Sequence, residues 1–152
     1  MGLFGSFLGK KTSQVRVAAS VAINRNLMEA AVFGALYVAA GDGNIGQSEM
    51  DAMDQILANN PQLKGFGSEL TNTIDRAKAD FKSGHRILRQ SAEKELTDLA
   101  HSPTEALTVL NIMLTVAESS ADEGDENKIS AVEMAILEKA AKLMGLNLKD
   151  HL

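Results

Sequence analysis

The residues Ala39 to Glu49 read Ala-Ala-Gly-Asp-Gly-Asn-Ile-Gly-Gln-Ser-Glu, and a version of that pattern returns near the end of the chain. There, Ser119-Ser120-Ala121-Asp122 leads into a longer acidic loop that closes on Ile129-Ser130-Ala131-Val132-Glu133. The separation is 80 positions before the turn (Asp42 to Asp122) and 84 after it (Ile45 to Ile129, Glu49 to Glu133). A repeat whose register changes only by a few loop residues marks two related units. Each unit is an apolar helix, an acidic turn and a second helix entered at a glutamate. This pattern constrains the fold more than any single element does.

The helices inside the units follow from periodicity. Residues 27–40 are apolar nearly all round, with Glu29 and Gly34 as exceptions. Such a stretch is too short to span a bilayer and reads as a helix surrounded by others. An interruption is expected around Asn24-Arg25-Asn26, with Asn26 as cap. After the first acidic turn, Gly46 and Glu49 stand at cap and third-position spacing and open a helix to about Ala58. Met50, Met53, Ile56 and Leu57 line its inner face, and Asn59-Asn60-Pro61 ends it. Ser102-Pro103-Thr104-Glu105 is a capped helix start with proline at its first position. It begins a second all-round apolar helix, which holds the same place in its unit as residues 27–40 do in theirs. Ser130 and Glu133 form a further capping box, Val132, Ile136, Ala140 and Leu143 share one face, and Gly145 is the stop.

Between the units, residues 66–101 read as a helical hairpin broken at Ser83-Gly84. Leu70, Ile74, Ala77 and Phe81 form one stripe, and Leu88, Ala92, Leu96 and Leu99 the other. Arg89–Glu93 and Lys94–Asp98 are opposite charges four apart and read as a solvated face. No strand-like alternation of any length occurs. The expected fold is therefore all-α: a compact single-domain bundle of about seven helices. It is built from two helix–acidic loop–helix repeats joined by a helical hairpin, with residues 1–11 as a separate segment and 12–152 as the domain.

In the N-terminal segment, Leu3, Phe4, Phe7 and Leu8 fall at helical spacing ahead of Lys10-Lys11. That suits either a first turn docked on the core or peripheral contact with a membrane surface. The apolar run is too short for a signal peptide.

Composition removes several chemistries. Cysteine is absent, so thiol nucleophiles, disulfides and thiolate metal sites are excluded. A net charge of −5 with scattered bases argues against nucleic acid as a partner. His85, His101 and His151 lie far apart without metal-ligand spacing, and no phosphate loop or nucleophile elbow is present, so no enzyme activity is expected.

The acidic turns remain. From Asp122 to Glu133 the spacing compares with a calcium loop of twelve residues, with Glu126 at the fifth place and Glu133 at the twelfth. Gly124 stands where a third acidic ligand would be, Asn127 replaces the turn glycine, and the first turn is four residues shorter. The pair is not an EF-hand pair, yet it offers hard oxygen ligands suited to Ca²⁺ or Mg²⁺. The candidate ligands are Asp42, Glu49, Asp122, Asp125, Glu126 and Glu133. Capping and turn roles account for Asp42, Glu49, Asp122 and Glu133 equally well. They do not account for the density of Asp122, Glu123, Asp125 and Glu126, whose like charges repel.

Asn24-Arg25-Asn26-Leu27-Met28, the apolar helix, Ala39-Ala40-Gly41-Asp42-Gly43, Ile45, Glu49 and the second Asp-loop-Ile-x-x-x-Glu together resemble the tellurite-resistance TerB family over roughly residues 12–146. The second turn departs from the family's Asp-Gly, reading Asp122-Glu123-Gly124 with an insertion. The resemblance implies a compact all-helical domain with a role in tellurite, colicin and phage stress. It also implies association with other Ter proteins, including a membrane partner, and a cytoplasmic location peripheral to the inner membrane. Metal binding by the acidic motifs is a proposal for that family. Because reduction of tellurite runs readily through thiols, a chain with no cysteine is expected neither to reduce nor to bind it. Purified protein without added thiol should leave tellurite unreduced.

Overall fold

A computed structural model describes residues 25–41, 43, 45–119 and 129–152. Within them the chain forms six α-helices and two 3-10 turns, with no strand. Helix α1 covers residues 25–39, α2 Gln47–Asn59, α3 Ser68–Ser83, α4 His85–Thr97, α5 Pro103–Ser119 and α6 Ala131–Leu143. The 3-10 turns are Lys64–Phe66 and Leu148–His151. The all-α expectation holds. The segment 1–11 and the helix expected from residue 12 lie outside the described residues.

α1 and α5 are the inner helices. Every residue from Leu27 to Ala40 except Glu29 is buried, and α5 buries Ala106, Val109, Leu110, Ile112, Met113, Leu114, Val116 and Ala117. They meet where α1 has no side chain. A Cβ on Gly34 would stand 2.9 Å from the Met113 sulfur and 3.4 Å from a Leu96 methyl, so three helices converge on that glycine. All-round apolarity cannot be satisfied by one neighbour, and the outer helices supply the rest. α2 packs on α5, α3 on α4, and α6 on both α4 and α5.

Polar ties hold the outer helices in register. Arg25 of α1 pairs with Glu69 of α3 at 2.8 Å, Lys78 of α3 with Asp54 of α2 at 2.9 Å, and the Ser91 hydroxyl of α4 donates to Asp80 of α3 at 2.8 Å. Ion pairs this exposed contribute about 0–1 kcal/mol each. Apolar burial carries the fold, and these contacts set orientation.

The local stops follow the expected chemistry. Ser130 caps α6, its Oγ accepting from the Glu133 N–H at 3.1 Å while its hydroxyl donates to Glu133 Oε1 at 2.9 Å. Gly145, at φ 76°, ends α6 in the left-handed region: its N–H donates to the Lys142 carbonyl, and that of Leu146 donates to the Ala141 carbonyl. The Asn147 side chain accepts from the Lys149 N–H and opens the last turn.

Three expectations need correcting. Arg25 and Asn26 are both helical, so Asn26 does not cap α1; burial of thirteen of the next fourteen residues outweighs asparagine's preference for a cap. Glu93 does not serve a solvated pair with Arg89: it reaches across to Lys139 of α6 at 2.6 Å and accepts from the Tyr37 hydroxyl at 3.4 Å. Val132 is 48% exposed, because the residue of α1's end that it faces is Gly41, which has no side chain to cover it.

The α1–α4 contact also contains a strained carboxyl. Burial raises the Glu95 pKa above the usual range; Glu29 and Asp98 raise it further, Lys94 opposes, and a hydrogen bond to Glu29 adds to the rise. A carboxyl whose folded pKa is raised binds its proton more tightly in the native state. Stability therefore falls as pH climbs from the ordinary glutamate value through the raised one, and above that the penalty is fully present. Glu95→Gln is expected to raise the melting temperature at pH 7 and to have less effect near pH 4, as read by thermal denaturation across pH. A variant that lowers stability at neutral pH would contradict this assignment.

Candidate functional site

Two helix starts and two helix ends gather at one end of the bundle. The backbone at Gly41 passes so close to α6 that a Cβ there would stand 2.8 Å from the Ile136 δ-methyl and 3.4 Å from a Val132 methyl. The end of α1 thus lies against the first turns of α6. A turn containing Gly43, at φ 86°, leads from it to the start of α2 at Gln47. Since α6 follows α5 in the chain, both acidic turns connect elements that meet here. The Gly41 contact joins the two units through the helices that flank the turns; the carboxylates of the turns themselves lie outside the described residues.

Of the six candidate ligands, the structure describes two. Glu49 sits half-buried in the first turn of α2, and Glu133 half-buried in the first turn of α6. Both positions favour a carboxylate, because the N-terminal end of a helix carries partial positive charge. They differ in their capping. Ser130 holds Glu133 by two hydrogen bonds, whereas Gly46, at the matching place before α2, has no side chain to offer. Asp42, Asp122, Asp125 and Glu126 lie outside the described residues. Among the described residues, no three of His, Cys, Asp and Glu come together as a metal group. Any coordination shell on Glu49 or Glu133 would therefore need carboxylates from the turns.

Among the described residues, one groove lies along α2 and α5 and another opens at this end. One, of about 690 Å³, runs between α2 and α5 and is lined by amides and hydroxyls such as Gln55, Asn59, Asn111 and Thr115, with no charged residue. The other, of about 480 Å³, lies between α6 and the α1–α4 pair. Its floor is Tyr37, Gly41 and Ile136, with Val132 at the edge, and His85, Arg89 and Lys139 surround it. Burial pushes the Tyr37 phenol pKa up, Glu93 adds to the rise, and Arg89 opposes it. The tyrosine hydroxyl therefore stays protonated and donates to Glu93.

Sequence reasoning did not find the second groove. His85 and Arg89 lie one turn apart on α4, but Lys139 comes from α6, and no spacing relates it to them. The only hint was Val132, an apolar residue in the first turn of a helix whose other apolar positions fall deeper.

A family model described as tellurite resistance protein TerB matches residues 28–151. Comparisons with curated proteins and with solved structures found no match. The matched span runs from the start of the first inner helix to the last 3-10 turn, so it takes in both units and the hairpin between them. On that match the chain belongs to the tellurite resistance protein TerB family.

Proposed function

We propose that this protein is a non-enzymatic, divalent-cation-responsive adaptor in a membrane-associated stress-response complex of the tellurite-resistance type. The observation that carries the reading is the Gly41 contact with Val132 and Ile136, which sets the end of α1 against the start of α6. With both turns leading from that junction, an ion held by one turn bears on the packing of both units. The carboxylates of Asp122, Asp125 and Glu126 repel one another without a ligand, and a Ca²⁺ or Mg²⁺ ion removes that repulsion. Glu133 and Ser130 hold the second helix start beside them. The missing third acidic ligand sets the affinity toward the weak, millimolar end of calcium sites.

The test is thermal. If the ion binds only the folded state, saturation at about a hundred times its dissociation constant adds roughly 2.7 kcal/mol. For a domain of this size the melting temperature rises by roughly 5–10 °C. Chelator-stripped protein titrated with Ca²⁺ and Mg²⁺ should show that rise, and the Asp122→Asn, Glu133→Gln double variant should lose it. A shift no larger than matched monovalent salt produces would remove the cation from the reading.

One observation favours a second reading. The Glu133 carboxylate already accepts the Ser130 hydroxyl, as a purely capping residue would. On that view the acidic end is a metal-independent surface that docks a basic partner, and the same titration would give no specific shift.

A further inference from the structure

The groove between α6 and the α1–α4 pair combines a recessed floor, an exposed apolar edge and nearby basic side chains. Its apolar floor is recessed: Tyr37 is 3% exposed and Ile136 9%, and Gly41 contributes no side chain between them. Val132, at the edge, is one of only three large hydrophobic residues exposed among the described residues.

The charged side chains that line the groove, Arg89 and Lys139, are basic on a chain whose net charge is −5. His85 and Arg89 lie one turn apart on α4, and Lys139 faces them from α6. Lys139 is neutralised within the chain by Glu93. Arg89 and its neighbour Arg86 form no ion pair among the described residues. The first turn of α4 holds no acid, although a helix N-terminus favours one. An arginine without an ion pair and the positive end of a helix therefore meet beside an open, largely apolar floor.

We propose that this groove docks an acidic peptide segment of a partner protein that carries an aliphatic or aromatic anchor residue. The charge identifies the partner: a carboxylate flanking the anchor meets Arg89 and the α4 N-terminus, and Arg89 forms no ion pair among the described residues. The shape identifies the anchor. Val132 protrudes at the edge, but the floor of Tyr37 and Ile136 is recessed, so the partner must bring a protruding side chain down to it. A volume of about 480 Å³ suits one large side chain with its adjoining backbone. The inference does not depend on cation binding at the acidic turns.

The experiment uses full-length protein and three labelled peptides, read by fluorescence anisotropy. The first alternates acidic residues with Leu and Phe, the second replaces the acids by Lys, and the third replaces the anchors by Ala. The first should bind, more weakly as salt rises, while the other two should bind at least about tenfold more weakly. Arg89→Glu and Val132→Asp change exposed side chains, and circular dichroism with melting curves verifies that both variants fold. Each should weaken binding of the first peptide by about tenfold or more. The proposal is overturned if the first peptide does not bind at about 1 mM, or binds no better than the lysine peptide, or binds both variants as it binds the wild type. Sedimentation with phosphatidylglycerol vesicles that Arg89→Glu abolishes, with no binding of the acidic peptide, would overturn it in favour of a lipid surface.

Discussion

Truncating Leu110 to alanine is expected to cost about 2–5 kcal/mol of stability, and truncating Leu36 a similar amount. Both side chains are fully buried, one on each inner helix. Each loses the transfer free energy of its removed atoms and leaves a cavity that neighbouring helices close only in part. The close approach at Gly34, where Met113 and Leu96 already stand at van der Waals limits, leaves the inner helices little room to move together. Urea denaturation should show a lower midpoint with an unchanged slope, and the melting temperature should fall on the order of 10 °C. A near-neutral outcome at both positions would mean that α1 and α5 are not the inner helices.

Phe33→Ala is expected to cost about 3–5 kcal/mol, and Arg76→Ala less than about 1 kcal/mol. The two residues touch: the Arg76 guanidinium stands over the Phe33 ring, 5.4 Å from its centre. Phe33 is 3% exposed, whereas the Arg76 side chain is 55% exposed and its nearest carboxylate oxygen, on Glu29, is 4.0 Å away. The ring therefore stabilises chiefly through buried apolar area and packing. The cation adds only the modest attraction of an exposed guanidinium for an aromatic face. Equal losses for the two variants, measured by chemical denaturation, would show that the cation–π and ion-pair contacts had been undervalued.

Much of this fold was legible before any coordinates because its signals are local. The cap at Ser130, the stop at Gly145 and the break at Ser83-Gly84 depend on neighbours a few residues away in the chain, and all stand where the sequence places them. The inner helices were legible because a run such as residues 27–40 leaves no polar face to turn outward. Where a local rule met tertiary burial it lost, as at Asn26, whose capping preference did not stop α1 from running through it. The partner of Glu93 was misread for a similar reason. A spacing of four on one helix suggested Arg89, while packing brought Lys139 within reach from another helix.

The candidate site divides along the same line. The two acidic stretches, the glutamates that open α2 and α6, and the lack of thiol chemistry were legible in the sequence. Those follow from residue type and short-range spacing. The tertiary structure alone decided that Gly41 lies against Val132 and Ile136, and that His85, Arg89 and Lys139 surround a recessed apolar floor. These residues are far apart in sequence, and no periodicity links one helix's face to another's. Their meeting is set by how the inner helices pack, where the lack of a side chain at Gly34 and Gly41 lets backbones and side chains approach to distances no local pattern encodes.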